Sequence, residues 1–332
     1  MMMDQVYLYF GFAPNNPITS RVADKHKLEH KGAYVVALED DMTTISAGPR
    51  LIVPMAGTSE GTGFEGHEFF EASSIRKIGD TYYFVYSSIH GHELCYATSS
   101  HPAEGYRFAG VLISNGDIGL DGRAPKDALN YTSNNHGGLV EIAGQWYIFY
   151  HRHTHRDQVS RQAAAEPIDI DENGRFTQAE MTSSGLHNGP LPGVGKYAAR
   201  IACVLQSAAG AKPVPYLSLF RSHSAHPYFT QTGRDREGNG DQYIANLRDG
   251  AVAGFKYFDL KDTRSIEIDT RGGSGDLQIS TELNGVPLAS VRVSDSSGRS
   301  LAELPPGLSE SSALYFRYRG KGAVDFHAFT LG

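Results

Sequence analysis

Short aromatic and aliphatic runs broken by glycine turns dominate the chain, and helical spacing of apolar residues is scarce. Apolar positions that alternate and end at glycine signal half-buried strands. Two segments share one design: Glu71-Ala-Ser-Ser-Ile-Arg-Lys-Ile-Gly-Asp-Thr-Tyr-Tyr-Phe and His136-Gly-Gly-Leu-Val-Glu-Ile-Ala-Gly-Gln-Trp-Tyr-Ile-Phe. At an offset of 65 residues, Glu71 falls on His136, Gly79 on Gly144, Tyr82 on Tyr147 and Phe84 on Phe149. Each segment reads as a short strand, a glycine turn and an aromatic strand, which is a hairpin. Further strands are expected at 94–98 and 110–113 after the first hairpin, and at 159–165 and 176–181 after the second. Repeated four-stranded units of this period are the plan of propeller blades.

A third copy is partial. Asp4-Gln-Val-Tyr-Leu-Tyr-Phe matches Gly79-Asp-Thr-Tyr-Tyr-Phe-Val, with Tyr7 on Tyr82, so the counterpart of Glu71 would precede Met1. Its remaining strands are expected at 33–42 and 50–54. The expectation is about two and a half blades. A closed propeller needs at least about four, so the chain is expected to lack its front blades.

Segment 183–196 is rich in Gly, Pro and Ser and reads as a linker. It separates a propeller portion expected over 1–190 from a second domain expected over 197–332. There the stretches 241–260, 265–271, 276–283, 289–293, 313–318 and 323–331 are strand-like. Turn signals at Arg271-Gly-Gly, Asn284-Gly and Ser297-Gly divide them, and the close spacing predicts a jelly-roll-like β-sandwich. The fold class expected is therefore all-β.

Composition narrows the function classes. The 332 residues suffice for two ordinary domains, and 37 glycines, 18 tyrosines and 16 phenylalanines suit a turn-rich β protein. A net charge of −7, with no basic stripe, argues against a nucleic-acid partner. Apolar runs are only strand-length, which gives no membrane span. The opening Met1-Met2-Met3-Asp4 has no apolar stretch and does not read as a signal peptide. Cys95 and Cys203, the two cysteines, lie far apart, which excludes a disulfide framework, and Cys95 in its apolar stretch is expected to be a buried free thiol.

Glu71 is the first candidate for chemistry. It follows Phe69 and Phe70 at the head of an expected inner strand. A carboxyl desolvated beside aromatics holds its proton more tightly, as a general acid must. The alternative is a solvent-facing or hairpin-capping glutamate.

The segment His67-Glu-Phe-Phe-Glu-Ala-Ser-Ser-Ile-Arg-Lys-Ile-Gly-Asp-Thr-Tyr-Tyr resembles the general-acid segment of glycoside hydrolase family 43. Asn134-Asn-His-Gly-Gly-Leu-Val-Glu-Ile-Ala-Gly-Gln-Trp-Tyr-Ile-Phe-Tyr-His-Arg looks like that family's last blade, and Ser160-Arg-Gln-Ala-Ala-Ala-Glu-Pro-Ile follows in order. The resemblance covers about residues 4–190. It implies a five-bladed propeller that hydrolyses arabinofuranosyl or xylosyl linkages in plant-type polysaccharides with inversion. It makes Glu71 the general acid, with Phe70, His136 and Arg161 at the substrate.

The resemblance requires no cofactor, but it allows a calcium ion on the propeller axis at His136. A structural histidine bonded to Asn134 or Asn135 is the alternative there, and a surface arginine is the alternative for Arg161. The family also uses an aspartate base and an aspartate that tunes the acid. Neither motif occurs here, and Asp4, Asp40 and Asp41 are not credible substitutes. Impaired activity is therefore expected of this chain. A non-catalytic carbohydrate-binding protein or an inactive fragment is the alternative.

The second domain resembles carbohydrate-binding module family 6. The likeness rests on Asp241-Gln-Tyr-Ile-Ala-Asn-Leu-Arg-Asp-Gly, Gly254-Phe-Lys-Tyr-Phe, Thr270-Arg-Gly, Ala313-Leu-Tyr-Phe and Asp325-Phe. It suggests Tyr243, Phe255 and Tyr257 as stacking platforms for a sugar, with burial in the core as the alternative. The partner expected is an oligo- or polysaccharide. Exposed blade edges are expected to promote self-association. A longer form of such a protein would be secreted or periplasmic.

Overall fold

A computed structural model describes residues 5–13, 21, 25, 31–213, 225–233, 241–294 and 298–332. Asp4 and Ser297 lie outside the described residues. The described chain is built of strands and short 3-10 turns, and it divides into two units.

The first unit comprises Met1–Ser114, Asn134–His151 and Ile168–Ala179. Strands β1 (Val6–Gly11), β2 (Gly32–Leu38) and β3 (Ile45–Pro54) form one antiparallel sheet in that order. Strands β4 (Phe69–Ile78), β5 (Thr81–Ser88), β6 (Glu93–Ser99) and β7 (Arg107–Ser114) form a four-stranded meander. A second hairpin joins β8 (Gly138–Ile142) to β9 (Gln145–His153). The expected blade strands are thus found, except over 176–181. There Phe176 and Ala179 make isolated bridges to Ile170 and Ile113 rather than a strand.

The hairpins correct the repeat by one residue. Ile78 pairs with Thr81 and Ile142 with Gln145 at the two closing positions, so the turns superpose at an offset of 64, Thr81 falling on Gln145. Ala143 and Gly144 occupy the second turn at φ 51° and 85°, the mirror-image backbone that two-residue hairpins favour. Tyr147 therefore corresponds to Tyr83, not to Tyr82; both are buried, whereas Tyr82 and Trp146 are half-buried. A one-residue slip exchanges the two faces of a strand, and letter matching across a turn cannot detect it. Bulges between Phe69 and Ser74 then shift the β4–β5 register back by one. That shift returns Glu71 to the 65-residue correspondence with His136.

Phe69, Phe84, Tyr86, Cys95 and Ala97 pack with Val35, Ile52 and Val53 into the core of this unit. Each large apolar side chain buried in this way contributes about 1.5–3 kcal/mol.

The second unit comprises Asn115–Ser133, Arg152–Pro167 and Glu180–Gly332. It includes β10 (Arg161–Pro167), β11 (Leu191–Pro192), β12 (Gly195–Ala198), β13 (Val204–Gln206) and β14 (Tyr228–Gln231). The series continues with β15 (Gln242–Leu247), β16 (Val252–Asp259), β17 (Ser265–Arg271), β18 (Ser274–Ser280) and β19 (Ala289–Val293). It ends with β20 (Gly298–Glu303), β21 (Ser312–Lys321) and β22 (Val324–Leu331).

Two six-stranded sheets result. One runs β11-β16-β21-β18-β19 with β13 on β16, and the other β14-β15-β22-β17-β20 with β12 on β22. Strand β17 alternates buried and half-buried positions, as a strand with one face in a core must. Phe255, Phe258, Phe316, Phe326 and Phe329 meet between the sheets, with Phe255 and Phe329 4.9 Å apart edge to face. This is the β-sandwich.

The segment 183–196 differs from the linker read in the sequence. Leu191 and Pro192 pair with Phe258 and Asp259, and Gly195–Ala198 pairs with Ala328–Leu331. Pro192 and Gly195 lie in these short strands, and a proline is tolerated at a sheet edge, where its missing N–H costs no ladder bond.

Candidate active site

Glu71 lies on β4 at the bulges that interrupt its pairing with β5. The next residue, Ala72, has φ 68°, a left-handed backbone that costs free energy for a residue carrying a Cβ. Bulges re-aim side chains and concentrate beside functional sites. The Glu71 side chain keeps 21% of its surface and is neither solvent-facing nor sealed in the core.

Two side chains from the segment before β8 hold it. His136 Nε2 lies 2.7 Å from Glu71 Oε1, and Asn134 Nδ2 donates to the same oxygen at 3.2 Å. With its proton on Nε2, the His136 ring donates to the carboxylate, a bond strengthened by charge. The backbone N–H of His136 donates to His151 Nδ1 at 3.1 Å, and the two rings meet edge to face at 5.1 Å. Asn135 Oδ1 accepts from the His151 backbone N–H, and Asn135 Nδ2 donates to the His92 carbonyl at 3.4 Å.

This chain of contacts fixes the His136 backbone and with it the approach to Glu71. Asn134 therefore serves Glu71, and Asn135 serves His151, where the sequence had offered both as partners of His136. His151 was missed. Its signal was the alternation His151-Arg152-His153 at the end of an aromatic strand.

Phe70 is half-buried beside Glu71, its ring 5.8 Å from that of Phe12. The pair Glu71 and His136 does not fit calcium, which takes about six to eight oxygen ligands. The imidazole nitrogen is engaged with the carboxylate. Among the described residues, no third His, Cys, Asp or Glu ligand atom gathers with the pair.

The other expected residues belong to the second unit. Arg161 opens β10 and lines a cleft of about 560 Å³ in that unit, with His155, Gln162, Arg200, Thr230 and Gln242 among the other walls. Tyr243 stacks on His327 at 4.5 Å, and Arg271 Nη2 donates to its hydroxyl at 3.4 Å. One face of the Tyr243 ring is thereby covered.

Tyr257 is a structural residue rather than a platform. Its hydroxyl lies 3.0 and 3.1 Å from the two carboxylate oxygens of Glu180, which also accepts from Lys256 Nζ at 2.7 Å. Lys256 donates further to buried Asp117 at 2.9 Å. Burial works against the lysine charge, yet Cys203, Asp117 and Glu180 together hold its pKa above the ordinary value. No cue for this network existed in the sequence, because its members are separated by up to 139 positions.

Comparison with known proteins gives the chain its relatives. The description "Glycosyl hydrolases family 43" matches residues 4–176. A xylosidase/arabinosidase of Thermoclostridium stercorarium is 45% identical over 339 residues, which cover 99% of this chain and 67% of that protein. A xylosidase/arabinosidase of Bacteroides ovatus is 29% identical over 156 residues, 44% of each protein.

Among solved structures, a family 43 arabinoxylan arabinofuranohydrolase from Bacillus subtilis in complex with cellotetraose aligns with a TM-score of 0.45 at 17% identity. The alignment covers 98% of this chain and 64% of that one. A family 6 carbohydrate-binding module from Clostridium cellulolyticum aligns with 42% of this chain and 98% of its own, with a TM-score of 0.32 at 9% identity.

Proposed function

The chain belongs to glycosyl hydrolases family 43, and from that membership we propose that it carries the general-acid side of an inverting hydrolase. The substrates proposed are arabinofuranosyl or xylosyl linkages in plant-type polysaccharides. The observation that supports the reading is Glu71 on its bulge, held through Oε1 by Asn134 and His136.

In this reading, protonated Glu71 passes its proton to the glycosidic oxygen as the bond from that oxygen to the anomeric carbon breaks. Two donors on Oε1 favour the transferable proton on Oε2. A second carboxylate takes a proton from the water that attacks the opposite face of the sugar, about 6.5–9.5 Å from the acid. That base is assigned to no residue of this chain, so hydrolysis by residues 1–332 alone is proposed to be impaired. Phe70 is proposed to line the sugar pocket. Tyr243, half-buried with His327 and Arg271 against its ring, is proposed as a weak sugar contact of the sandwich.

The test compares this chain with a form extended by the part of the Thermoclostridium stercorarium relative that the match leaves uncovered. Nitrophenyl arabinofuranoside, nitrophenyl xyloside and arabinoxylan are the substrates. The expected result is slow turnover by the chain and efficient turnover by the extended form, lost on natural substrate in Glu71→Gln. Full activity of the chain alone would overturn the impairment. Binding of arabinoxylan without hydrolysis by the extended form would favour a non-catalytic carbohydrate-binding role.

A further inference from the structure

Three side chains of metal-binding type converge in the first unit. His67 Nδ1 lies 2.8 Å from Glu93 Oε1, and Cys95 Sγ lies 3.3 Å from that oxygen and 3.8 Å from His67 Nδ1. Glu93 and Cys95 are alternate residues of β6 and so present the same face. Their exposures are 5% and 0%, while the His67 side chain keeps 33% and opens the group to solvent. Among the described residues, this is the trio of His, Cys, Asp or Glu ligand atoms that lie within 4.8 Å of one another.

We propose that His67, Glu93 and Cys95 form a binding site for a thiophilic divalent cation of the zinc class. Zinc bonds of about 2.0–2.3 Å in a tetrahedron set ligand atoms roughly 3.2–3.8 Å apart. The observed separations of 2.8–3.8 Å need only a small opening of the His67–Glu93 edge. A nitrogen, an oxygen and a sulfur ligand select zinc or cobalt over calcium or magnesium.

The surroundings orient the ligands as outer partners of a metal site do. Ser88 Oγ donates to Glu93 Oε1 at 2.6 Å, the His67 ring stacks on Phe108 at 4.5 Å, and Tyr86 donates to the His67 carbonyl at 2.7 Å. On binding, the ion takes the place of the Cys95 thiol proton, which passes to solvent, and accepts the lone pair of His67 Nδ1. The fourth position, on the exposed side of His67, is taken by water. Because His67 precedes Glu71 by four positions, the ion would pin the entry of β4.

The inference stands independently of the proposed hydrolysis. Its test uses the full chain after treatment with a chelator, titrated with zinc by calorimetry and with cobalt by absorption spectroscopy. The expected outcome is one zinc per chain and a thiolate-to-cobalt charge-transfer band in the near ultraviolet. Cys95→Ser should abolish the band, Cys203→Ser should retain it, and His67→Gln should weaken zinc binding at least about tenfold. Thermal unfolding of each variant in chelator checks folding. If Cys95→Ser does not fold, His67→Gln decides, since its partly exposed ring is not part of the core. No stoichiometric uptake at micromolar zinc, a band that persists in Cys95→Ser, or equal affinity in His67→Gln would overturn the site.

Discussion

His136 Nε2 stands 2.7 Å from Glu71 Oε1, joining two residues 65 positions apart, one near the start of β4 and the other just before β8. Glu71 pairs with Ser87 at the bulged start of β4, and His136 lies two residues before the paired part of its own hairpin. One repeat places the acid, and the next places the donor that holds it.

Glu71→Gln, in the extended form, should slow hydrolysis of arabinoxylan far more than that of nitrophenyl glycosides. The amide fills the same volume but cannot give a proton. General-acid assistance is worth about 10²–10⁴-fold, and nitrophenolate departs readily without it. Equal losses on both substrates would assign Glu71 to binding or folding instead.

His136→Ala should lower kcat in the same form by about 10–100-fold with little change in KM. The variant removes the donor that orients the acid, and small misplacements of a reacting group have costs of this size. A rise in KM with unchanged kcat would make His136 a sugar contact only.

Lys256→Met should destabilise the second unit by about 3–5 kcal/mol at neutral pH, because it leaves Asp117 charged and buried without its partner. Burial already raises the Asp117 pKa above 3.8, with Lys256 opposing that shift. A raised carboxyl pKa means that the folded state binds more protons than the unfolded one between the two values. Stability of the variant should therefore fall as pH climbs through that window and recover on acidification. Chemical denaturation of both proteins across the acid range measures the effect, and a pH-independent difference would contradict it.

Leu8, Phe10 and Phe12 alternate along and just beyond β1 with exposures of 50%, 42% and 44%, presenting one apolar face. Strand β1 also ends the three-stranded sheet. Exposed apolar strand edges drive association. Light scattering after size exclusion should find concentration-dependent oligomers of residues 1–332 that Phe10→Ser with Leu8→Ser shifts toward monomer. A monomeric parent protein would remove the basis for this association.

The sequence by itself determined the all-β class, the hairpins and the place of Glu71, because these rest on local alternation and glycine turns. Strands β17 and β19 fall where the pattern set them, at Ser265–Arg271 and Ala289–Val293. Tertiary structure decided what depends on partners distant in sequence. The Tyr82–Tyr147 match failed because turn geometry, not letter identity, sets register. Tyr257 became structural because Glu180, from another segment of the chain, accepts its hydrogen bond. The 183–196 stretch joined the sandwich because β16 and β22 offered unpaired edges to it. The gathering of His67, Glu93 and Cys95 arose because folding brings the segment before β4 against one face of β6. Periodicity records which face a residue shares, and only the folded chain records what meets that face.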